Sequence, residues 1–360
     1  MLKKMFIWLA IIIGAILGLS LIGLFIWHLA SPGEAQPILN EDGETIENSI
    51  SEIEQMELGD LEQYIIIRGH DKTKPVLLFL HGGPGYPEFF DIKRYNPELE
   101  KMFVVVDWIQ RGTAKSFSSD IRPEQMKIKY MLDDIKELSL YLKQKFNQDK
   151  LYLMGHSWGT LLGMKAIDAY PELFHCFFSV GQVAAQYRSE EISMDWIKQK
   201  ALESGDEDEI TAVNAIELPT PDADGKTWIN YFMANRRYVT KYGGARKQKV
   251  PFSHGYGFSS KEYTLMDKIN SVRGILFSLE HLSGELVNSN LFEEIDSVHV
   301  PIYFFQGVDD YQTVHQVAKE FYNHVKAPKK VFYEFKDAAH NPIFTQSEAF
   351  NEKIKTIISF

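Results

Sequence analysis

Cysteine is nearly absent: the 360 residues hold one, Cys176. A lone thiol cannot close an internal disulfide, and inside the apolar run 174–180 it reads as a small core residue. Metal-ligand spacing is missing too. There is no C-x-x-C and no H-E-x-x-H, so neither a metal nor another cofactor is expected. Positive charge is in deficit, with 38 Lys and Arg against 49 Asp and Glu and a net charge of -11. A surface built to neutralise phosphates would be basic, which argues against nucleic acid as a partner. No internal repeat occurs, and the one compositionally distinct tract is polar, acidic 31–53, which reads as a linker.

Apolar residues make up 45% of the chain, enough for a large core in one domain with an insertion. The most concentrated run, Met5 to Trp27, carries no charge. At about 1.5 Å per residue it can cross a hydrocarbon layer about 30 Å thick as a helix. Trp8 and Trp27 lie near its two ends, where indole rings favour the interface. A cleaved signal would have a shorter apolar region and a small-residue cleavage site, which His28-Leu29-Ala30 does not supply. Lys3 and Lys4 precede the run, so the expected topology is a single pass with the N-terminus cytoplasmic and the body outside.

Beyond the linker, apolar runs alternate with helix-period segments. Gln63–Arg68, Val76–Leu80, Met102–Val106, Leu151–Met154, Cys176–Val180, Val300–Phe305 and Lys330–Phe335 read as strands. Lys127–Phe146 and Val314–Val325 have helical periodicity. Alternation of this kind predicts an α/β fold with a mostly parallel sheet flanked by helices. From 182 to about 291 the rhythm breaks into helical, aromatic-rich segments, read as a helical cap inserted above the C-terminal edge of the sheet. The expected organisation is 1–30 tip and anchor, 31–53 linker, 54–181 core, 182–291 cap and 292–360 core.

Leu151-Tyr-Leu-Met-Gly-His-Ser-Trp-Gly159 is a strand closing in G-x-S-x-G before a helical stretch. That context suits a nucleophile held in a cramped turn, because only small residues fit two before and two after the serine. A serine hydroxyl needs a base, and the base needs an orienting acid. On such a sheet the acid and then the histidine follow the serine in the chain. Asp309 and Asp310 follow the strand ending near Gly307, and His340 follows the strand ending at Phe335. Ser157, Asp310 and His340 are therefore the candidate catalytic residues, with Asp309 as the alternative acid. His81 and His156 are expected to brace loops. The oxyanion hole is expected from the backbone N–H of Trp158 and that of Gly83, in the loop after Val76–Leu80.

His81-Gly-Gly-Pro-Gly85, Gln110-Arg-Gly112 with Ser116, and Gly155-His-Ser-Trp-Gly159 together resemble the proline iminopeptidase branch of the α/β-hydrolase superfamily. The resemblance runs from about Gln63 to the C-terminus. It implies a metal-free serine aminopeptidase acting on short peptides, with Ser157, Asp310 and His340 on its triad positions and Gly83 and Trp158 on its oxyanion hole. It also implies that cap carboxylates hold the substrate ammonium, for which Glu190, Glu191 and Asp195 are candidates. The family's D-Q-R-G-x-G-x-S loop is altered: Ile109 and Ala114 replace its Asp and second Gly, with Asp107 two positions earlier. Two other readings stay open, an ester or amide hydrolase with the same triad and a catalytically silent binding protein on this scaffold.

Overall fold

The structure, a computed structural model, describes residues 2–247 and 259–358; residues 248–258, within the expected cap, lie outside the described residues. Eight strands form one sheet: β1 (Ile50–Leu58), β2 (Leu61–Gly69), β3 (Val76–Leu80), β4 (Val104–Ile109), β5 (Leu151–His156), β6 (Phe174–Val180), β7 (Ile302–Gly307) and β8 (Lys330–Phe335). Their order is β1-β2-β4-β3-β5-β6-β7-β8. The β1–β2 and β2–β4 pairs are antiparallel and all the others parallel. Every residue of β3, β4, β5 and β7 is buried, because helices cover both faces of the parallel region. The edge strand β1 begins inside the stretch read as a linker. Its Ile50 pairs with Gly69, and upstream of it Ile38 is only 5% exposed.

Two features of this sheet place the functional loops. The strand order turns back between β4 and β5, so β3 and β5 lie side by side with Leu80 opposite Gly155. The loops that leave their C-terminal ends therefore meet. At the other side β7 and β8 are neighbours in register, Gly307 opposite Phe335, so the loops carrying Asp310 and His340 also leave together.

Between β6 and β7 the described chain is helical, with main helices Gln186–Ser204, Glu207–Asn214, Gly225–Lys241 and Leu265–Asn288. Side-chain caps set their starts: Asp206 accepts from the Glu209 N–H, Asp224 from that of Thr227, and Thr264 forms a capping box with Asp267. At the N-terminus a helix covers Leu2–Leu29. Its Met5–Leu29 portion is long and apolar enough to cross a membrane and is exposed along most of its length; near its C-terminal end the Lys268 ammonium lies 6.0 Å from the centre of the Trp27 ring.

Candidate active site

Ser157 occupies the turn between β5 and the helix Trp158–Ala169, with φ 52° and ψ -120°. L-residues rarely adopt that backbone, and the packing explains why this one is held there. A Cβ on Gly155 would stand 2.3 Å from the Gly159 carbonyl oxygen, and one on Gly159 would stand 2.0 Å from that of Leu80. Both glycines are therefore required for the turn to press against β3. The Ser157 N–H donates to the Val180 carbonyl at 2.9 Å, tying the bend to the next strand.

His340 and Asp310 meet across their loops. His340 Nδ1 lies 2.9 Å from Asp310 Oδ2. A carboxylate can only accept, so Nδ1 is the donor, and in the neutral ring that arrangement leaves the Nε2 lone pair free. Asp310 is fully buried. Burial alone would raise its pKa, but the charge and hydrogen bond of His340, the Gln312 N–H and the Thr313 hydroxyl outweigh it and hold the carboxyl below its usual range. Gln306 Nε2 donates to the same oxygen as His340, at 2.8 Å. Asp309 is turned away: its carboxylate pairs with Lys247 at 2.9 Å.

Ser157, Trp158, His340 and Gly83 line one cavity of about 320 Å³. Trp158 is the first residue of its helix, so its N–H has no carbonyl four residues back within the helix. Gly83 has φ +118°, and a Cβ there would fall 2.4 Å from the Gly85 nitrogen. Only glycine makes that bend. Gln110 holds the two loops at a fixed spacing, donating from Nε2 to the His81 carbonyl at 3.1 Å and accepting from Trp158 Nε1 at 3.0 Å. Burial lowers the His81 pKa to about 4, so its ring is a neutral brace.

Glu88 was not legible as a site residue in the sequence. One of its oxygens accepts from the Gly82 N–H at 2.8 Å and the other lies 2.6 Å from His156 Nδ1. His156 Nε2 faces the His340 carbonyl at 3.3 Å. Both ring nitrogens thus meet acceptors, which favours the imidazolium. Burial opposes the charge, but Glu88 outweighs it and the His156 pKa is raised. A carboxylate six positions past Gly82 shows no periodicity or motif that would single it out.

The three carboxylates considered for the substrate ammonium are not among the described residues of the cavity wall. Glu190 is fully buried, but its oxygens are taken by Arg236, Tyr231 and Gln186. Glu191 and Asp195 are exposed on the outer side of their helix and do not line the cavity. The side chain that reaches the wall is Arg236, 23% exposed, the guanidinium that pairs with Glu190. Helical phase sent 191 and 195 to water, while 190 found a partner from the helix Gly225–Lys241.

In the altered loop, Arg111 makes a bidentate pair with buried Asp134, both contacts at 2.7 Å. Ile109 packs with Phe89, Phe90 and Tyr263. Asp107 has no hydrogen-bond partner for either oxygen among the described residues, and burial followed by Glu88 and Asp91 raises its pKa well above the usual value. Ala114, in place of a glycine, is strained at φ 40°.

Comparison with known proteins agrees with this architecture. "Probable aminopeptidase YbaC" of Bacillus subtilis is 29% identical over 303 residues, covering 84% of this chain and 94% of that protein. A "Proline iminopeptidase" of Lactobacillus acidophilus is 23% identical over 287 residues, 76% of this chain and 87% of its own. Among solved structures, the proline iminopeptidase of Mycobacterium smegmatis superposes with a TM-score of 0.59 at 15% identity, covering 85% of this chain and 97% of that one. VinJ superposes with a TM-score of 0.64 at 18% identity, covering 85% and 98%. The family described as alpha/beta hydrolase fold matches residues 75–347, from β3 to the start of the last helix. With that match spanning most of the chain and the strand order bearing it out, the protein belongs to the alpha/beta hydrolase fold family.

Proposed function

We propose that the protein is a membrane-anchored serine hydrolase working through an acyl-enzyme, and that its substrates are short peptides from which it removes an N-terminal, proline-like residue. The observation that carries the reading is the 2.9 Å contact of His340 Nδ1 with buried Asp310, at a cavity whose wall also holds Ser157 in its strained turn. With Nδ1 protonated, Nε2 is the base. It takes the Ser157 proton as Oγ attacks the substrate carbonyl, and returns it to the departing amine as the acyl-enzyme forms. The negative oxygen develops toward the N–H groups of Gly83 and Trp158. Water then attacks the ester by the same relay. The relatives named aminopeptidase and proline iminopeptidase support the peptide half.

One observation favours a second reading, hydrolysis of small esters or amides. Among the described residues the cavity wall offers no uncommitted carboxylate for an ammonium group: Glu88 is engaged by His156 and Gly82, and Glu190, behind the wall, is engaged by Arg236. The two readings separate on a panel of a prolyl arylamide, its N-acylated counterpart and an aryl ester. Turnover of the first and not the second supports the aminopeptidase, whereas ester cleavage without aminoacyl cleavage overturns it. Fluorophosphonate labelling tests the shared chemistry. Ser157→Ala should abolish labelling and cut kcat by roughly 10⁴-fold or more without loss of fold; a folded wild type that does not label would instead fit a silent binding protein.

The anchor is supported by Met5–Leu29, 25 mostly apolar residues without Asp, Glu, Lys or Arg, and by Lys3 and Lys4 ahead of it, which favour a cytoplasmic N-terminus and an extracytoplasmic body. Retention of the full chain in the membrane after alkaline extraction checks it; release into the soluble fraction would overturn it.

A further inference from the structure

The helix Leu265–Asn288 is apolar on two sides. Inward, Ile275, Leu279 and Leu286 line the cavity. Outward, Met266, Ile269, Val272 and Leu276 are 56%, 43%, 51% and 46% exposed. At about 100° per residue these four fall within one arc of about 120° and run about 15 Å along the axis. Exposed Arg273 lies in the same arc, and Glu280 brings a negative charge back to that face one turn beyond Leu276. A contiguous apolar stripe open to solvent marks a surface meant to be covered.

Where this helix begins indicates what covers it. Pro32 forms a bridge with Thr264, the N-cap of the helix. The N–H groups of Gly33 and Glu34 donate to the Lys261 carbonyl at 2.9 and 3.1 Å. The Lys268 ammonium donates to the Ser31 hydroxyl at 2.6 Å. From Leu29, the end of the apolar N-terminal helix, to Pro32 the chain can extend at most about 10 Å. The stripe therefore starts within about that distance of the point where the anchor leaves the bilayer. The helix is also clamped to the core, since a Cβ on Gly274 would stand 2.7 Å from the Gly112 carbonyl oxygen.

We infer that the Met266–Leu276 face rests on the bilayer surface, so that one wall of the cavity is seated on lipid. Apolar side chains enter the acyl boundary and Arg273 meets anionic headgroups, as in interfacial helices. Charge returns at Glu280 because the seat extends only over the turns nearest the exit. The inference rests on the reading of Met5–Leu29 as a membrane anchor.

The test uses the full chain in vesicles of phosphatidylcholine and phosphatidylglycerol, with Cys176→Ala as background. Single labels with an environment-sensitive fluorophore go at Ile269→Cys, Val272→Cys, Leu17→Cys within the apolar helix, and Leu202→Cys, an exposed site 65% open on another helix. Nitroxide-bearing lipids should quench 17, 269 and 272 and spare 202. If 17 is quenched while 269 and 272 behave like 202, the seat is overturned and the anchor stands. If 17 also escapes quenching, the anchor fails and the seat with it. Equal quenching at 202 and 269 would overturn a seat confined to this face.

Discussion

The edge of the sheet and the helical insertion above it contribute to the same cavity, yet they place side chains by different means. At the edge, backbone does the positioning. Strand register puts Leu80 beside Gly155 and Gly307 beside Phe335, and the loops leaving those positions carry Gly83, Ser157, Asp310 and His340. In the insertion, helix packing does it. Glu190 and Glu191 are adjacent in sequence, but one is locked to Arg236 and the other is in water. A side chain at a strand end is aimed by hydrogen bonds that the whole sheet enforces. A side chain on an inserted helix is aimed by whichever partner the neighbouring helix offers.

The largest effect that would sharpen this contrast comes from the two aspartates after β7. Asp310→Asn should lower kcat by roughly 10⁴-fold with the fold intact, through loss of the His340 tautomer. Asp309→Asn, at a carboxylate that pairs with Lys247 rather than with His340, should leave kcat unchanged. Equal loss from both would break the claim that register selects the acid. Next comes the pair in the insertion. Glu190→Gln leaves Arg236 without its counter-charge and should cost about 3 kcal/mol in denaturant unfolding, whereas Glu191→Gln should leave the midpoint in place. If Glu191→Gln instead raised KM for an aminoacyl substrate, the helical phase described above would not be the one that acts in solution.

A smaller effect is expected where the two loops at the edge are joined. Glu88→Gln removes the charge shared by Gly82 and His156, and should lower kcat about tenfold with little change in KM, as the loop proposed to hold the oxyanion loosens. A pH series adds an independent reading. The raised His156 pKa contributes stability that is present below the ordinary imidazole range and lost as pH climbs through the folded value. Thermal unfolding of the Gln variant should lack that alkaline step, and an unchanged step would dissociate Glu88 from His156.

The smallest concerns Asp107, in the altered loop. Burial raises its pKa in the fold above the ordinary value that it keeps in the unfolded chain, so stability falls as pH rises from the ordinary carboxylate range toward the folded value. Asp107→Asn should raise Tm by roughly 2–4 °C at neutral pH, and by less near pH 5. Destabilisation would reveal a partner that the carboxyl needs.

The sequence alone determined the α/β alternation and the cramped serine turn, and offered the chain order serine, aspartate, histidine, because these follow from local pattern: buried strands read as apolar runs, and tight turns demand glycine. It also marked the apolar N-terminal helix, whose signal is length and composition. Tertiary structure decided what depends on a partner far away in the chain. The choice of Asp310 over Asp309 came from how the loop after β7 turns against β8. The bridging role of Glu88, the reach of Gln110 between His81 and Trp158, and the capture of Glu190 by Arg236 each join residues tens of positions apart. Such contacts leave no periodicity in the sequence. They exist only once packing has set which charges must share a buried space and which can remain in water.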